Sequence, residues 1–80
     1  MVSHGVARPP WMQVYDLLRT RIESGEFPPG GRLPSIPSLA REYRVAGITV
    51  RKALAKLREE NLIVTVPGWG SFVAEDPPDG

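Results

Sequence analysis

Six of the ten lysine and arginine residues of this 80-residue chain lie between positions 41 and 60. These cations are Arg41, Arg44, Arg51, Lys52, Lys56 and Arg58, and only three carboxylates accompany them. Cations attract phosphates, and an arginine can also form two hydrogen bonds with the edge of a guanine. The alternative is a solvated helix face with ion pairs such as Lys56 with Glu60. The concentration of charge makes nucleic acid the first partner to consider.

Residues suited to enzymatic chemistry are sparse. The chain has no cysteine, and its one histidine, His4, lies near the N-terminus. The carboxylates Asp16, Glu23, Glu26 and Glu42 follow no spacing that would pair two of them in a cleft. No glycine-rich phosphate loop follows a strand. The sequence therefore predicts a protein that is not an enzyme, with no catalytic residue, no metal and no cofactor.

Composition is that of a small globular domain, with 41% hydrophobic residues, 24% charged residues and a net charge of +1. The absence of cysteine is typical of a reducing compartment. The apolar run Leu62–Val64 is far shorter than the roughly 20 residues of a membrane-spanning helix. Residues 1–10 lack the apolar stretch of a secretion signal. These features predict a cytoplasmic protein with no membrane partner.

An apolar stripe predicts the first of the elements that must position the cations. The residues at helical spacing are Trp11, Val14, Tyr15, Leu18 and Ile22. They predict a helix over about 10–24, ended by Gly25 in a left-handed conformation. The following segment Phe27–Gly31 contains two prolines and two glycines, which favour a tight corner over a continued helix.

Two further helices are predicted on either side of a short break. Ser35 is expected to cap a helix over about 36–44, and a short strand could precede it at Arg32–Pro34. The break falls at Val45–Gly47, and a third helix is predicted over about 48–60. Its inward-facing residues are Val50, Ala53, Leu54 and Leu57. Its outward-facing residues are Thr49, Arg51, Lys52, Lys56 and Arg58.

The last element is a predicted hairpin. Two β-rich runs, Leu62–Val66 and Ser71–Ala74, flank the glycine-containing turn Pro67–Gly70. The predicted fold is therefore mainly α with a small β-hairpin, in the order of three helices, a short strand before the second, and a two-stranded hairpin at the end. Two short helices separated by a turn, the second with outward cations near its start, are typical of a helix-turn-helix unit.

The two ends of the chain differ from its middle in composition. Residues 1–10 show no helical or strand periodicity and include a Pro-Pro pair, and residues 76–80 are proline-rich and acidic. We expect one helix-turn-helix domain, including the hairpin, over 11–75, with a flexible N-terminal arm over 1–10 and a flexible C-terminal tail over 76–80.

The third helix is the element expected to meet nucleic acid. In a helix-turn-helix unit the first turns of the second helix enter the major groove, which places Thr49 and Arg51 near base edges. Lys52 and Lys56 are expected to meet phosphates. Arg41 and Arg58 are expected to face solvent or phosphate.

The order and spacing of short motifs resemble a known family. The motifs are the Gly25–Gly30 run, Leu33-Pro34-Ser35, Thr49-Val50-Arg51 and the closing Gly68–Val73 run. Together they resemble the winged helix-turn-helix DNA-binding domain of the GntR family, over about residues 11–74. The resemblance implies that the hairpin is a wing whose tip enters the minor groove.

Site residues and partners follow from that resemblance. It implies DNA contacts through Ser35, Thr49, Arg51, Gly68 and Gly70, and double-stranded DNA as the partner. A palindromic operator bound by a dimer is expected. Trp69 stands between the wing glycines and has two interpretations, a ring folded back over the hairpin or an exposed ring that packs on sugar at the minor groove. Family members add a larger C-terminal effector domain, and no such domain is expected within these 80 residues.

Departures from the family pattern support one alternative. Ile36, Pro37, Ala46 and Gly47 replace polar and charged residues that are usual in the family, so two customary arginines are missing. The alternative function is a winged-helix protein-interaction module whose DNA binding is weak or lost.

Overall fold

A computed structural model of the chain describes residues 8–75. The helices are α1 (Pro10–Glu23), α2 (Ile36–Tyr43) and α3 (Gly47–Glu59), and the strands are β1 (Ile63–Val66) and β2 (Gly70–Val73). The predicted fold class is confirmed, and each helix boundary agrees with its prediction to within one residue. His4, most of the predicted arm and the predicted tail lie outside the described residues.

Local sequence explains where the helices begin and end. Pro10 opens α1, at a position where its missing amide hydrogen would have no helical partner. The Oγ of Ser35 accepts a hydrogen bond from the Ser38 amide at 3.2 Å, which confirms the predicted cap of α2. Gly25 and Asn61 take left-handed φ values of 89° and 64° just beyond α1 and α3.

The third helix begins one residue earlier than predicted because Ala46 takes the cap position. The backbone of Ala46 is extended, with φ −72° and ψ 155°. Its carbonyl accepts hydrogen bonds from the amides of Thr49 and Val50 at 3.0 and 3.3 Å. Gly47 therefore lies inside the first turn of α3, and Arg44, with φ 58°, closes α2 in the left-handed conformation.

The inner side of α3 packs into a single apolar core. The largest fully buried side chains are Leu18, Leu39, Leu57, Ile63, Val14 and Val50, so all three helices and β1 contribute. Helix α3 packs against α1, α2 and β1. Each buried methylene group contributes about 0.8 kcal/mol to the free energy of folding. With its inner side fixed in this way, α3 presents its other side to solvent.

The sheet is an antiparallel pair in which Ile63 lies opposite Val73 and Val66 opposite Gly70. The short strand predicted at Arg32–Pro34 is present only as an isolated bridge between Arg32 and Phe72. Two hydrogen bonds of 2.8 Å flank that bridge, from the Leu33 amide to the Ser71 carbonyl and from the Val73 amide to the Gly31 carbonyl. The segment before α2 is thereby fixed to the outer edge of β2.

The connection from α3 to β1 is only three residues long, 60–62. The amides of Asn61 and Leu62 donate to the carbonyls of Arg58 and Leu57, both at 2.9 Å. The connection is therefore closed by hydrogen bonds to the last turn of α3, which fixes the start of the hairpin relative to the helix.

Neither a membrane span nor a metal cluster is found in the described part of the chain. No helix within residues 8–75 is long and apolar enough to cross a membrane. Over the same residues, no group of three or more histidine, aspartate or glutamate side chains is placed to hold a metal ion.

Candidate nucleic-acid interface

The N-terminal half of α3 carries side chains predicted to meet base edges and phosphates. Arg51 and Lys52 are exposed and Thr49 is half-buried, whereas Val50 and Ala53 of the same segment are fully buried. The helical spacing of the buried residues therefore turns the predicted contacts outward, as expected.

Ile48 is another exposed residue on this part of α3, and it is not among the outward-facing residues predicted from the sequence. Its side chain is 73% exposed at the leading turn of the helix. Ile48 precedes Val50 by two positions, which is about 200° around a helix and therefore away from the core. That offset from the apolar stripe was the signal available in the sequence. An exposed aliphatic side chain at this place can contact a thymine methyl group.

Lys52 and Lys56 lie on the side of α3 that faces α1. The Nζ of Lys52 is 5.4 Å from the centroid of the Trp11 ring, within the range of a cation–π contact. The Nζ of Lys56 lies 3.4 Å from Glu59 Oε1. Both lysines border a shallow cavity together with Trp11, whose side chain is half-buried.

The ion pair of Lys56 with Glu60, which illustrated the alternative of a solvated helix face, is not formed; Lys56 pairs with Glu59 instead. Glu60 is the residue that closes α3, and its carboxylate turns toward α1, where it accepts a hydrogen bond from Tyr15 Oη. Arg19 Nη1 lies 4.0 Å from the same carboxylate. Burial of Tyr15, together with its hydrogen bond to Glu60, raises the pKa of its hydroxyl above the ordinary value of 10.0.

The wing tip, residues 67–70, is a tight turn with an exposed aromatic ring. The Trp69 amide donates to the Val66 carbonyl at 2.9 Å, and Pro67 and Gly68 occupy the two central positions. Gly68 has φ 82°, which is the conformation that a type II turn requires there. Trp69 is 70% exposed, so the structure supports the exposed ring over the ring folded back on the hairpin.

A groove runs between α3 and the wing, and three arginines line it. It consists of two adjoining cavities of about 220 and 300 Å³. We call it the arginine groove. Its polar lining residues are Arg32, Ser35, Arg51, Arg58, Thr65 and Ser71. Arg32 was missed in the sequence because only the bridge from its segment to β2 brings it here.

The predicted site residues are thus brought together in part. Ser35, Arg51 and Gly70 border the same 300 Å³ cavity. The Ser35 hydroxyl already donates to Ser38 Oγ at 3.1 Å while it caps α2. Lys52 and Lys56 lie on the other side of α3.

Charge pairing separates the two sides of the molecule. Arg8, Arg19 and Arg21 of the α1 side pair with Asp16, Glu23, and Glu26 together with Glu42, respectively. The hydrogen bond to Glu26 raises the pKa of the Arg21 guanidinium. In the described residues, no carboxylate oxygen lies within 4.0 Å of the cations of Arg32, Arg51, Lys52 or Arg58.

Comparison with known proteins identifies the family. The model of the bacterial regulatory proteins of the gntR family matches residues 11–73. The chain belongs to the GntR family. The resemblance inferred from its motifs is therefore confirmed, and its three helices with a two-stranded wing form the DNA-binding type of domain of GntR regulators.

Curated relatives of this GntR domain include two named repressors. The chain is 36% identical over 69 residues to the mannosyl-D-glycerate transport/metabolism system repressor MngR of Escherichia coli, covering 86% of this chain and 29% of MngR. It is 36% identical over 67 residues to the transcriptional repressor NagR of Bacillus subtilis, covering 84% of this chain and 28% of NagR. The chain thus spans less than a third of the length of these relatives.

Solved structures of GntR domains superpose closely. The AraR DNA-binding domain in complex with its operator ORE1 has a TM-score of 0.86 at 28% identity, covering 92% of this chain and 90% of that one. A GntR family transcriptional regulator from Listeria monocytogenes has a TM-score of 0.84 at 32% identity, covering 91% and 64%. Nothing in these comparisons supports the protein-interaction alternative.

Proposed function

We propose that this chain is the DNA-binding module of a transcription regulator, with the N-terminal half of α3 in the major groove and the wing tip at the adjacent minor groove. The supporting observation is the segregation of charge. Cations of the α1 side are neutralised by neighbouring carboxylates, whereas Arg32, Arg51, Lys52 and Arg58 have no carboxylate oxygen within 4.0 Å among residues 8–75. An α-helix fits the major groove of B-form DNA, and uncompensated cations supply the attraction to its backbone.

The proposed contacts to base edges come from three side chains of α3. Arg51 is exposed and without a carboxylate partner in residues 8–75, so its guanidinium is available for the O6 and N7 acceptors of a guanine. Thr49 offers its hydroxyl, and Ile48 offers an aliphatic contact to a thymine methyl group. Together these three side chains would recognise a short run of base pairs at the N-terminal end of α3.

The other predicted site residues are proposed to hold the DNA backbone and the minor groove. Ser35, Lys52 and Lys56 are suited to phosphates. The Lys52 ammonium lies beside the Trp11 ring and has no carboxylate within 4.0 Å in residues 8–75, and the pair of Lys56 with Glu59 is exposed. At the wing tip, Gly68 and Gly70 carry no side chain, so the backbone can approach the minor groove closely. The exposed ring of Trp69 can pack against sugars.

We propose that the regulator binds a palindromic operator as a dimer. Two copies on a palindromic operator would place two α3 helices in successive major grooves, and linking two half-sites strengthens binding through effective concentration. We propose that the regulator acts in the cytoplasm without being an enzyme. We also propose, from the family resemblance, that the regulator contains an effector-binding domain.

Binding to duplex DNA at several salt concentrations tests the proposal. A duplex selected by this chain from a random pool and an unrelated duplex are the two probes. About three to five phosphate contacts predict a log–log salt slope near −0.9 for each contact. Backbone amide shifts on adding the selected duplex are expected at 49–52 and 68–70. A flat salt response, or shifts confined to α1, would refute the proposal.

A further inference from the structure

We propose that Arg32 and Arg58 bind the phosphates of the DNA strand that separates the major groove from the minor groove. This inference rests on the proposed placement of α3 and the wing. When a helix occupies one groove and a hairpin tip the next, the sugar–phosphate strand between those grooves must cross the space between helix and hairpin. In this molecule that space is the arginine groove.

Arg58 forms the wall of the groove on the side of α3. Its Nη1 donates to Thr65 Oγ1 at 3.2 Å, and Thr65 Oγ1 lies 3.1 Å from Ser71 Oγ. The guanidinium is therefore oriented by a neutral hydroxyl rather than by a carboxylate. Its positive charge remains available, and its remaining N–H groups can donate to phosphate oxygens.

Arg32, from the segment before α2, forms the opposite wall beside the wing. Its guanidinium passes so close to Gly70 that a Cβ atom at position 70 would lie 3.1 Å from Nε and 3.4 Å from Nη2. The bridge from Arg32 to Phe72 fixes the backbone of this segment to β2. Both the backbone anchor and the close approach to Gly70 hold the side chain along the wing.

The chemistry between the two walls suits a phosphodiester. Three guanidinium groups border the two adjoining cavities, and the hydroxyls of Thr65 and Ser71 lie between them. No carboxylate is among the lining residues. Each strand of a duplex carries one negative charge about every 3.4 Å along the helix axis. Several consecutive phosphates could therefore meet the positive charges of the three arginines.

The salt dependence of variants tests the assignment. Arg58→Gln and Arg32→Gln are each expected to make the log–log slope shallower by about 0.9, on selected and unrelated duplexes alike. Between 50 and 200 mM salt, the wild-type chain should then lose about 3.5-fold more affinity than either variant. The preference for the selected duplex over the unrelated one should stay unchanged, because phosphate contacts are insensitive to sequence.

Matched variants keep the test specific. Arg19→Gln removes the same charge from the α1 side and should leave the slope unchanged. Arg58→Lys keeps the charge but changes the donors toward Thr65, and it should keep the slope. Thermal unfolding of each variant shows whether it is folded. A second measurement replaces single phosphates of the duplex by neutral methylphosphonates. At the phosphate that Arg58 contacts, this replacement should lower the affinity of the wild-type chain and leave the affinity of the Arg58→Gln chain unchanged.

The outcomes separate this inference from the proposed function. A wild-type chain with a steep slope, together with Arg32 and Arg58 variants of the same slope, would overturn the assignment of the two arginines and leave the DNA-binding function standing. A wild-type chain that binds no duplex at low salt would overturn both.

Discussion

Arginines on the two sides of this small domain have the same chemistry and opposite surroundings. On the α1 side, Arg21 donates to Glu26 at 2.8 Å, to Glu42 at 3.0 Å and to Tyr43 Oη at 2.6 Å, and lies 4.5 Å from the centroid of the Phe27 ring. In the arginine groove, the one hydrogen bond of Arg58 to a described side chain goes to a hydroxyl. Paired charge fastens elements of the fold to one another, whereas uncompensated charge is available to a partner.

Net charge is a poor guide to the function of this chain. The whole chain has ten cations and nine anions, which alone would suggest no preference for DNA. Within residues 8–75, however, six of the seven carboxylates take part in ion pairs, and the cations they engage are Arg8, Arg19, Arg21 and Lys56. The local excess that favours DNA is therefore created by the fold.

Arg51→Ala should show the largest effect on DNA binding. Loss of a two-bond contact with guanine costs about 1–3 kcal/mol, or about 5- to 150-fold in affinity for the selected duplex. Because Arg51 has no partner among the described side chains, the free energy of unfolding should change by less than about 0.5 kcal/mol. Fluorescence anisotropy and urea unfolding measure the two quantities. A large loss of stability without a loss of affinity would contradict the division between the two sides.

Arg21→Ala should give the converse result. It removes charge-assisted hydrogen bonds that join α1 to α2 and to the following loop, so we expect the free energy of unfolding to fall by about 1–2 kcal/mol. Affinity for duplex DNA should remain that of the wild-type chain at temperatures where the variant is folded. The control is Arg19→Ala, whose pair with Glu23 is exposed and should contribute less than about 1 kcal/mol.

Ile48 allows a finer test of the α3 surface. If it contacts a thymine methyl group, replacing that thymine by deoxyuridine in the selected duplex should weaken binding about 4-fold, equivalent to about 0.8 kcal/mol for one methyl group. The chain with Ile48→Ala should be less sensitive to the same replacement. Equal sensitivity of both chains at every thymine would show that Ile48 makes no such contact.

The smallest expected effect concerns pH on the α1 side. The fold raises the pKa of Tyr15 above 10.0, mainly through burial, so the folded chain releases this proton at higher pH than the unfolded chain. The stabilisation is therefore complete below about pH 10 and is lost as the pH rises through the raised pKa. Urea unfolding between pH 8 and 11 should show this decline, and Tyr15→Phe should remove its share. Identical declines in both proteins would contradict it.

The backbone was largely predictable because its signals are local. The apolar spacing of Val14 and Leu18 identifies α1, and the sequence at Ser35 identifies the beginning of α2. The one-residue error at Gly47 arose because glycine was taken as a break, whereas the extended backbone of Ala46 supplies the cap.

The site was less predictable because its membership depends on tertiary contacts. Arg32 and Arg58 are 26 positions apart, and they line one groove only after the Arg32 segment bridges to β2 and Arg58 reaches Thr65. The pairing of Lys56 with Glu60 that the alternative suggested considered α3 alone, whereas in the packed molecule Glu60 accepts a hydrogen bond from Tyr15 of α1. Ile48 is the exception, since its offset from the apolar stripe was visible in the sequence.

The three-residue connection between α3 and β1 also bears on which duplexes fit. Because hydrogen bonds close it against the last turn of α3, the helix and the hairpin hold a fixed separation and cannot adjust independently to a wider or narrower duplex. The duplex must supply the adjustment, and deforming DNA costs on the order of 1–6 kcal/mol, depending on the flexibility of its base steps. Base pairs that no side chain touches should therefore influence affinity through their stiffness alone.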